Sequence, residues 1–147
     1  RNEDYLSSHA FYQFTKNQVR TCSVEYCNEI LENPPKNMLV LYFGDQEITC
    51  IYNGKSVVLS VDRADILRHM LLMCSKGSPG TRITFRNYFR RFGQDGEVVR
   101  NTFRKRIERL RENLVEIGLV SAVIQTRHLD ETAYYVDENI SYMVFTE

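Results

Sequence analysis

A concentration of basic side chains is the feature of this sequence best suited to binding chemistry. Eleven of its 19 Lys and Arg residues lie between Lys76 and Arg111, where only three acidic residues occur. The flanking segments are acidic, so the 147 residues sum to a formal charge of zero. Clustered cations attract phosphate backbones, although a run of charges is also typical of a solvated face. We therefore expect a polyanion-binding surface within this block.

Much of the basic block falls on a predicted amphipathic helix over residues 97–117. Its apolar positions recur every three or four residues and indicate a buried stripe of Val99, Phe103, Ile107, Leu110, Leu114 and Ile117. The rest of the helix carries amide, hydroxyl, ammonium and guanidinium groups, which can bond base edges and phosphates. We expect DNA contacts from Arg100, Asn101, Thr102, Arg104, Lys105 and Arg109, and Arg111 beside the stripe is also placed to reach a phosphate.

Two structural explanations stay open for the same residues. Arg109 and Arg111 are spaced to form surface ion pairs with neighbouring glutamates of the helix, which contribute only a few tenths of a kcal/mol. Asn101 and Thr102 lie near the helix start, where such side chains also bond the backbone.

Two shorter helices are expected before this one. Ser60 or Asp62 is placed to cap the first, which ends before the loop at residues 77–80. Thr84 is expected to cap the second, which ends at residues 93–96. From the second helix we expect phosphate contacts by Arg86, Arg90 and Arg91.

Extended segments flank the three helices. Residues 38–59 read as a small antiparallel sheet, in which Asn53-Gly54 forms a type I′ turn. After Gly118, which is suited to end the long helix, residues 122–126 and 133–136 predict a hairpin. Its polar connection carries Arg127 at the expected tip, and residues 142–145 predict a final strand.

The first 33 residues have apolar positions at helical spacing, and Pro34-Pro35 ends that pattern. Ser23 is placed to cap the second part of this region. The chain is therefore divided into a helical arm at residues 1–35 and one domain at residues 36–147, a size typical of single domains. We expect the arm to serve in dimerisation or signal reception.

Several classes of function lack their usual residues. The four cysteines and three histidines show no metal-binding spacing, and we expect no metal site, no cofactor and reduced cysteines in a cytoplasmic protein. The sequence shows no paired carboxylates or glycine-rich phosphate loop, so we expect no enzyme. No apolar run approaches the roughly 18 residues of a membrane span.

Four motifs together carry a family resemblance. They are the strand and helix entry at residues 53–60, Ile83-Thr84 with Tyr88-Phe89, Phe103 with residues 107–114, and residues 124–127 with Tyr134 or Tyr135. With these motifs the chain from Met38 to Phe145 resembles the OmpR/PhoB-type DNA-binding domain of bacterial transcription regulators. The sequence departs from that family in the wing, where residues 128–133 replace a Gly-x-Gly-Tyr stretch.

The resemblance implies an α+β fold of the winged helix-turn-helix type. The domain would have an N-terminal antiparallel sheet, three helices and a C-terminal β-hairpin wing, preceded here by the helical arm. It further implies a regulator whose third helix reads the major groove of double-stranded DNA, with Arg127 reaching the backbone or minor groove. The implied partners are DNA and an RNA polymerase subunit. A second copy bound through the arm is expected from the arm itself and not from the resemblance.

Other functions remain open. In the leading alternative, the basic face of a winged helix binds an acidic protein partner and no nucleic acid is involved. RNA binding is less favoured, because no exposed aromatic pair is set out for base stacking.

Overall fold

The computed structural model describes residues 11–88 and 100–147, and these form a mixed α+β protein. In chain order the elements are β1 (Phe11–Thr15), β2 (Gln18–Cys22), α1 (Val24–Glu32), β3 (Met38–Phe43), β4 (Ile48–Tyr52), β5 (Lys55–Leu59), α2 (Val61–Met73), α3 (Arg82–Tyr88), α4 (Arg100–Glu116), a single 3-10 turn (Ser121–Val123), β6 (Ile124–His128), β7 (Thr132–Val136) and β8 (Ser141–Thr146). Among the described helices, none combines the length and apolar character needed to cross a bilayer.

The described residues divide into two compact units. Of the described residues, the sheet unit contains 11–60, 116–118 and 141–147. The helical unit contains 61–88, 100–115 and 119–140. The division differs from the predicted boundary at residue 35, because the strands after that residue pair with β1 and β8 in a single sheet.

The sheet unit is built on six strands in the order β2-β1-β8-β3-β4-β5. The antiparallel arrangement predicted for residues 38–59 is confirmed in the β3-β4-β5 part. Asn53 and Gly54 connect β4 to β5 with φ angles of 48° and 82°, the positive values that a type I′ turn needs. The final strand β8 runs parallel to β3 and antiparallel to β1, so the whole sheet is mixed rather than purely antiparallel.

The helical arm predicted for residues 1–35 is wrong over residues 11–22. That segment is a β-hairpin, β1 and β2, joined at Lys16-Asn17. The helical spacing was misleading because Val19, one of its apolar positions, is 57% exposed. Helix α1 is confirmed in the second part, where the Ser23 hydroxyl accepts a hydrogen bond of 3.1 Å from the Tyr26 N–H. Residues 1–10 lie outside the described part of the chain.

Helix α1 contributes to an apolar core on the sheet. Cys27 lies in this core with Phe11, Val40 and Phe145. All four cysteines are free, and burial raises the pKa of Cys27 to about 11 and that of Cys50 to about 12. These two buried side chains therefore remain neutral thiols at physiological pH and act as small apolar residues.

The helical unit packs α2, α3 and α4 around an aromatic centre. The centre of the Phe85 ring lies 5.2 Å from that of Phe103 and 4.7 Å from that of His69. The ring centres of Phe103 and Tyr134 lie 5.9 Å apart. The predicted apolar stripe of α4 is confirmed, since Phe103, Ile107, Leu110 and Leu114 are all buried. Val99 lies outside the described residues.

The start of α3 differs from the prediction that Thr84 caps it. The helix begins at Arg82, and Thr81 precedes it. The Thr81 hydroxyl accepts from the Thr84 N–H at 3.2 Å, and the Thr84 hydroxyl accepts from the Thr81 N–H at 3.3 Å. This reciprocal pair satisfies two donors in the manner of a capping box, so Thr81 has the role assigned to Thr84. The predicted helix end at residues 93–96 lies outside the described residues.

A β-hairpin follows α4, as predicted, but its bounds differ. The strands β6 and β7 are joined by residues 129–131, so the connection is shorter than expected. Gly80 adds a third extended segment through two backbone hydrogen bonds with Tyr134, of 2.7 and 2.8 Å. Helix α4 ends at Glu116, and Gly118 follows its end in the terminating role predicted for it, with a φ of 99° that allows the Leu119 N–H to donate to the Leu114 carbonyl at 3.0 Å.

Candidate nucleic-acid interface

The solvent face of α4 brings together four of the residues predicted to contact DNA. Asn101, Thr102, Lys105 and Arg109 are all exposed. They are exposed because the apolar stripe fixes the helix phase, with Phe103 in the core on the opposite side. Lys105 and Arg109 are four residues apart and therefore lie on neighbouring turns of one face.

Lys105 and Arg109 are also the two cations of this face that lack a described partner. Within the described part of the chain, neither side chain has an ion-pair or hydrogen-bond partner, so the ion pairs considered for Arg109 do not form there. An exposed cation without an internal partner keeps its full charge available to an external anion. This makes the pair suited to a phosphate or a guanine edge.

Arg104 is exposed too, but it is paired on its own helix. Its guanidinium lies 2.5 Å from the Glu108 carboxylate, with both side chains about half exposed. An exposed pair at this spacing contributes only about 0.3–0.5 kcal/mol. Arg104 can therefore exchange Glu108 for a phosphate at little cost.

Four further predicted positions have side chains that the structure does not describe. Arg86 lies in α3 and Arg100 in α4, and their side chains are not among the described ones. Arg90 and Arg91 lie outside the described residues. The expected phosphate contacts of these four arginines therefore stay predictions.

Arg111 has a structural position rather than the expected phosphate-facing one. Its Nη2 donates to the Ile124 carbonyl at 2.6 Å and to the Thr126 hydroxyl at 2.8 Å. Its guanidinium also lies 5.6 Å from the centre of the Tyr134 ring. Burial raises the pKa of the Tyr134 hydroxyl, and the charge of Arg111 opposes that rise. Arg111 thus fastens α4 to both strands of the hairpin.

Arg127 also differs from its predicted place. It lies in β6, opposite Ala133, and not in the connecting loop, because the hairpin strands are longer than expected. Its Nη1 donates to the backbone carbonyl of Lys76 at 2.9 Å. The Arg127 guanidinium therefore binds the loop after α2. A DNA contact by Arg127 stays a prediction.

A third arginine holds the hairpin from α3. Arg82 Nε lies 3.1 Å from a carboxylate oxygen of Glu131 in the hairpin loop. The two side chains are only 19% and 21% exposed, so the pair is partly shielded from water. Sequence reasoning missed this pair and the role of Arg111, since helical phase gives the direction of a side chain but not its distant partner.

The basic residues of the described helical unit therefore fall into two groups. Arg82, Arg111 and Arg127 fasten the hairpin, and Arg106 contacts Asp62 of α2 at 3.3 Å. The cations on the solvent face of α4 lie in its first three turns. Glu108 lies between Lys105 and Arg109, and Glu112 and Glu116 follow toward the carboxyl end of the helix; all three glutamates are exposed.

Among the described residues, His, Cys, Asp and Glu side chains form no group of three that could hold a metal ion. No protein-family model matches the chain, and comparisons with curated proteins and with solved structures find no match.

Proposed function

We propose that the chain is a sequence-specific regulator of transcription that binds double-stranded DNA. Its helical unit acts as a winged helix-turn-helix of the OmpR/PhoB type, and α4 enters the major groove. The observation that carries the proposal is the α4 face on which Asn101, Thr102, Lys105 and Arg109 are exposed together.

The order of elements in the helical unit supports this reading. Three helices are followed by a hairpin, and the extended segment at Gly80 pairs with β7 of that hairpin. Helix α4 has 17 residues and is therefore about 25 Å long, at about 1.5 Å per residue. An α-helix fits a major groove about 12 Å wide, and recognition helices usually contact bases with their amino-terminal residues.

The polarity of α4 assigns different tasks along its length. Within residues 101–109, Asn101 is suited to an adenine edge, Thr102 to a base or phosphate, and Lys105 and Arg109 to guanine or phosphates. The carboxylates of Glu112 and Glu116 are repelled by the DNA backbone and would stay outside the groove, whereas Glu108 is paired with Arg104. Arg86, Arg90, Arg91, Arg100 and Arg104 would supply further phosphate contacts. A dimer formed through the amino-terminal arm and an RNA polymerase contact belong to the same proposal.

The test is a fluorescence-anisotropy titration of mixed short duplexes at several salt concentrations. Each neutralised phosphate contributes about 0.9 to the slope of log affinity against log salt. Replacing Lys105 and Arg109 together with alanine should therefore reduce the magnitude of that slope by about 1.8 and weaken binding. The matched control replaces Lys36 and Lys55, two exposed lysines of the sheet unit, and should bind as the wild type does. Equal binding by the two double variants would refute the proposed interface.

A protein-interaction module is the second candidate, and the three carboxylates on α4 favour it. A face that is basic at one end and acidic at the other suits a partner protein of complementary charge order. Absence of duplex binding at low salt, with the fold intact by circular dichroism, would favour this function over DNA binding.

A further inference from the structure

A polar side chain occupies a core position in the sheet unit. Gln13 lies on the same face of β1 as Phe11, and its side chain is as buried as that residue, at 3% exposure. A buried amide must be hydrogen-bonded to offset its lost hydration. A polar residue at a position that the pattern reserves for apolar packing is a common sign of a functional site.

The amide of Gln13 is satisfied by a network that ends on an arginine. Its Oε1 accepts from Arg20 Nε at 2.6 Å, and its Nε2 lies 3.2 Å from the Tyr26 hydroxyl and 3.4 Å from Met143 Sδ. Arg20 Nη2 donates to the same Tyr26 hydroxyl at 2.6 Å, and the guanidinium lies 5.0 Å from the Tyr26 ring centre. Arg20 is therefore held from two directions although it is exposed at the surface.

Among the described residues, one end of the Arg20 guanidinium has no hydrogen-bond partner. Gln13 and Tyr26 occupy the side formed by Nε and Nη2, so the end formed by Nη1 and Nη2 keeps donors for another partner. Among the described residues, no carboxylate forms an ion pair with Arg20. A fixed guanidinium with an open end is suited to bind an oxyanion through two parallel hydrogen bonds.

Arg20 is one of the residues that line a surface concavity of about 200 Å³. Polar side chains form one part of the wall, while the Tyr26 ring and Met143 supply apolar surface. The lining residues are Gln13, Thr15, Gln18, Arg20, Tyr26 and Met143, and none of them is acidic.

We propose that this concavity binds a small organic anion, whose carboxylate or phosphate group is held by Arg20. Gln13 is the positioning residue that fixes the guanidinium, and Tyr26 and Met143 contact the body of the ligand. The site lies wholly within the sheet unit and does not depend on DNA binding by the helical unit. It gives the hairpin β1-β2 a ligand-binding role.

The test measures the melting temperature of the full chain with succinate, benzoate or inorganic phosphate at millimolar concentration. Isothermal titration calorimetry then measures the affinity for each of these probes. A ligand that binds only the folded protein raises the melting temperature in a saturable way. The wild type should respond to at least one probe, and the pattern of responses distinguishes carboxylate from phosphate chemistry. Arg20→Gln should weaken binding at least tenfold, whereas Lys55→Gln, which removes an exposed charge at the other edge of the sheet, should leave it unchanged.

Arg20→Lys separates recognition from charge alone. An ammonium cannot make the two parallel bonds of a guanidinium, so this variant should also bind more weakly while it folds normally. Absence of a response to all three probes in the wild type would overturn the proposal. Binding of equal strength in Arg20→Gln and the wild type would overturn it as well, since the ligand would then lie elsewhere. Neither result bears on duplex binding, which is measured separately.

Discussion

Two arginines of α4, only two positions apart, should respond differently to the same substitution. Arg111 is bonded to the hairpin through the Ile124 carbonyl and the Thr126 hydroxyl, whereas Arg109 is exposed and has no described partner. Replacement by methionine keeps much of the apolar stem and removes the guanidinium. Arg111→Met should therefore destabilise the helical unit, while Arg109→Met should affect binding to DNA.

The size of the effect at Arg111 follows from its contacts. A hydrogen bond to a charged group contributes about 1.5–3 kcal/mol, and a partly exposed cation–π contact adds about 0.5–1 kcal/mol. The two hydrogen bonds share one nitrogen and do not add fully, so we expect a loss of about 2–4 kcal/mol. At the exposed Arg109 position the change should stay within about 0.5 kcal/mol.

Urea denaturation followed by far-ultraviolet circular dichroism measures both free energies of unfolding. The midpoint should shift to lower urea for Arg111→Met and remain in place for Arg109→Met. Duplex titrations should show the reverse order, with Arg109→Met weakened and folded Arg111→Met close to the wild type. If Arg111→Met is as stable as the wild type, the assignment of Arg111 to the hairpin is refuted.

Three further predictions concern backbone geometry and pH. Gly80→Ala should destabilise the protein by about 1–3 kcal/mol, because the added Cβ would lie 2.9 Å from Cys74 Sγ. The control in urea denaturation is Gly77→Ala, whose added Cβ would meet no atom within 4 Å. Gly54→Ala should cost about 1–2 kcal/mol from its positive φ alone, since nothing lies within 4 Å of the added Cβ, and a stability equal to the wild type would contradict the turn assignment. Burial lowers the pKa of His69, so the unfolded chain takes up a proton more readily than the folded one. The free energy of unfolding, measured by urea titration, should therefore fall as the pH drops below about 6.5. His69→Leu should flatten this pH dependence, and an unchanged pH dependence would assign the effect to other groups.

Local patterns in the sequence predicted the local structure well. Asn53-Gly54 gives the hairpin between β4 and β5 because both residues accept positive φ. The stripe that contains Phe103 and Ile107 sets the phase of α4, and the exposure of Lys105 follows from that phase. Residues close in sequence settle these features, so one sequence suffices to predict them.

The amino-terminal hairpin shows where periodicity misleads. Phe11 and Phe14 are three apart, a spacing that fits a helix face, but on β1 they point to opposite faces of the strand. The alternation that matters is Phe11 with Gln13, and it is hidden because the second inward residue is polar. The glutamine that obscures the strand pattern is also one of the residues that line the Arg20 concavity.

Long-range partners were beyond the reach of the pattern. Strand β8 enters the sheet between β1 and β3, and the pairing depends on hydrogen bonds between segments distant in sequence. Three arginine contacts also join segments distant in sequence. Arg82 contacts the hairpin loop, Arg111 contacts the hairpin strands, and Arg127 contacts the loop after α2. A basic block gives the charge available for DNA, but tertiary contacts decide which cations remain free to bind it.

The most direct test of the α4 interface is a titration of the ¹⁵N-labelled protein with a short duplex, followed by amide chemical shifts. We expect the largest changes over residues 101–109, with smaller ones at Glu112 and Glu116. Changes confined to the sheet unit or to the acidic end of α4 would contradict the proposed orientation. An unchanged spectrum at low salt would contradict DNA binding itself.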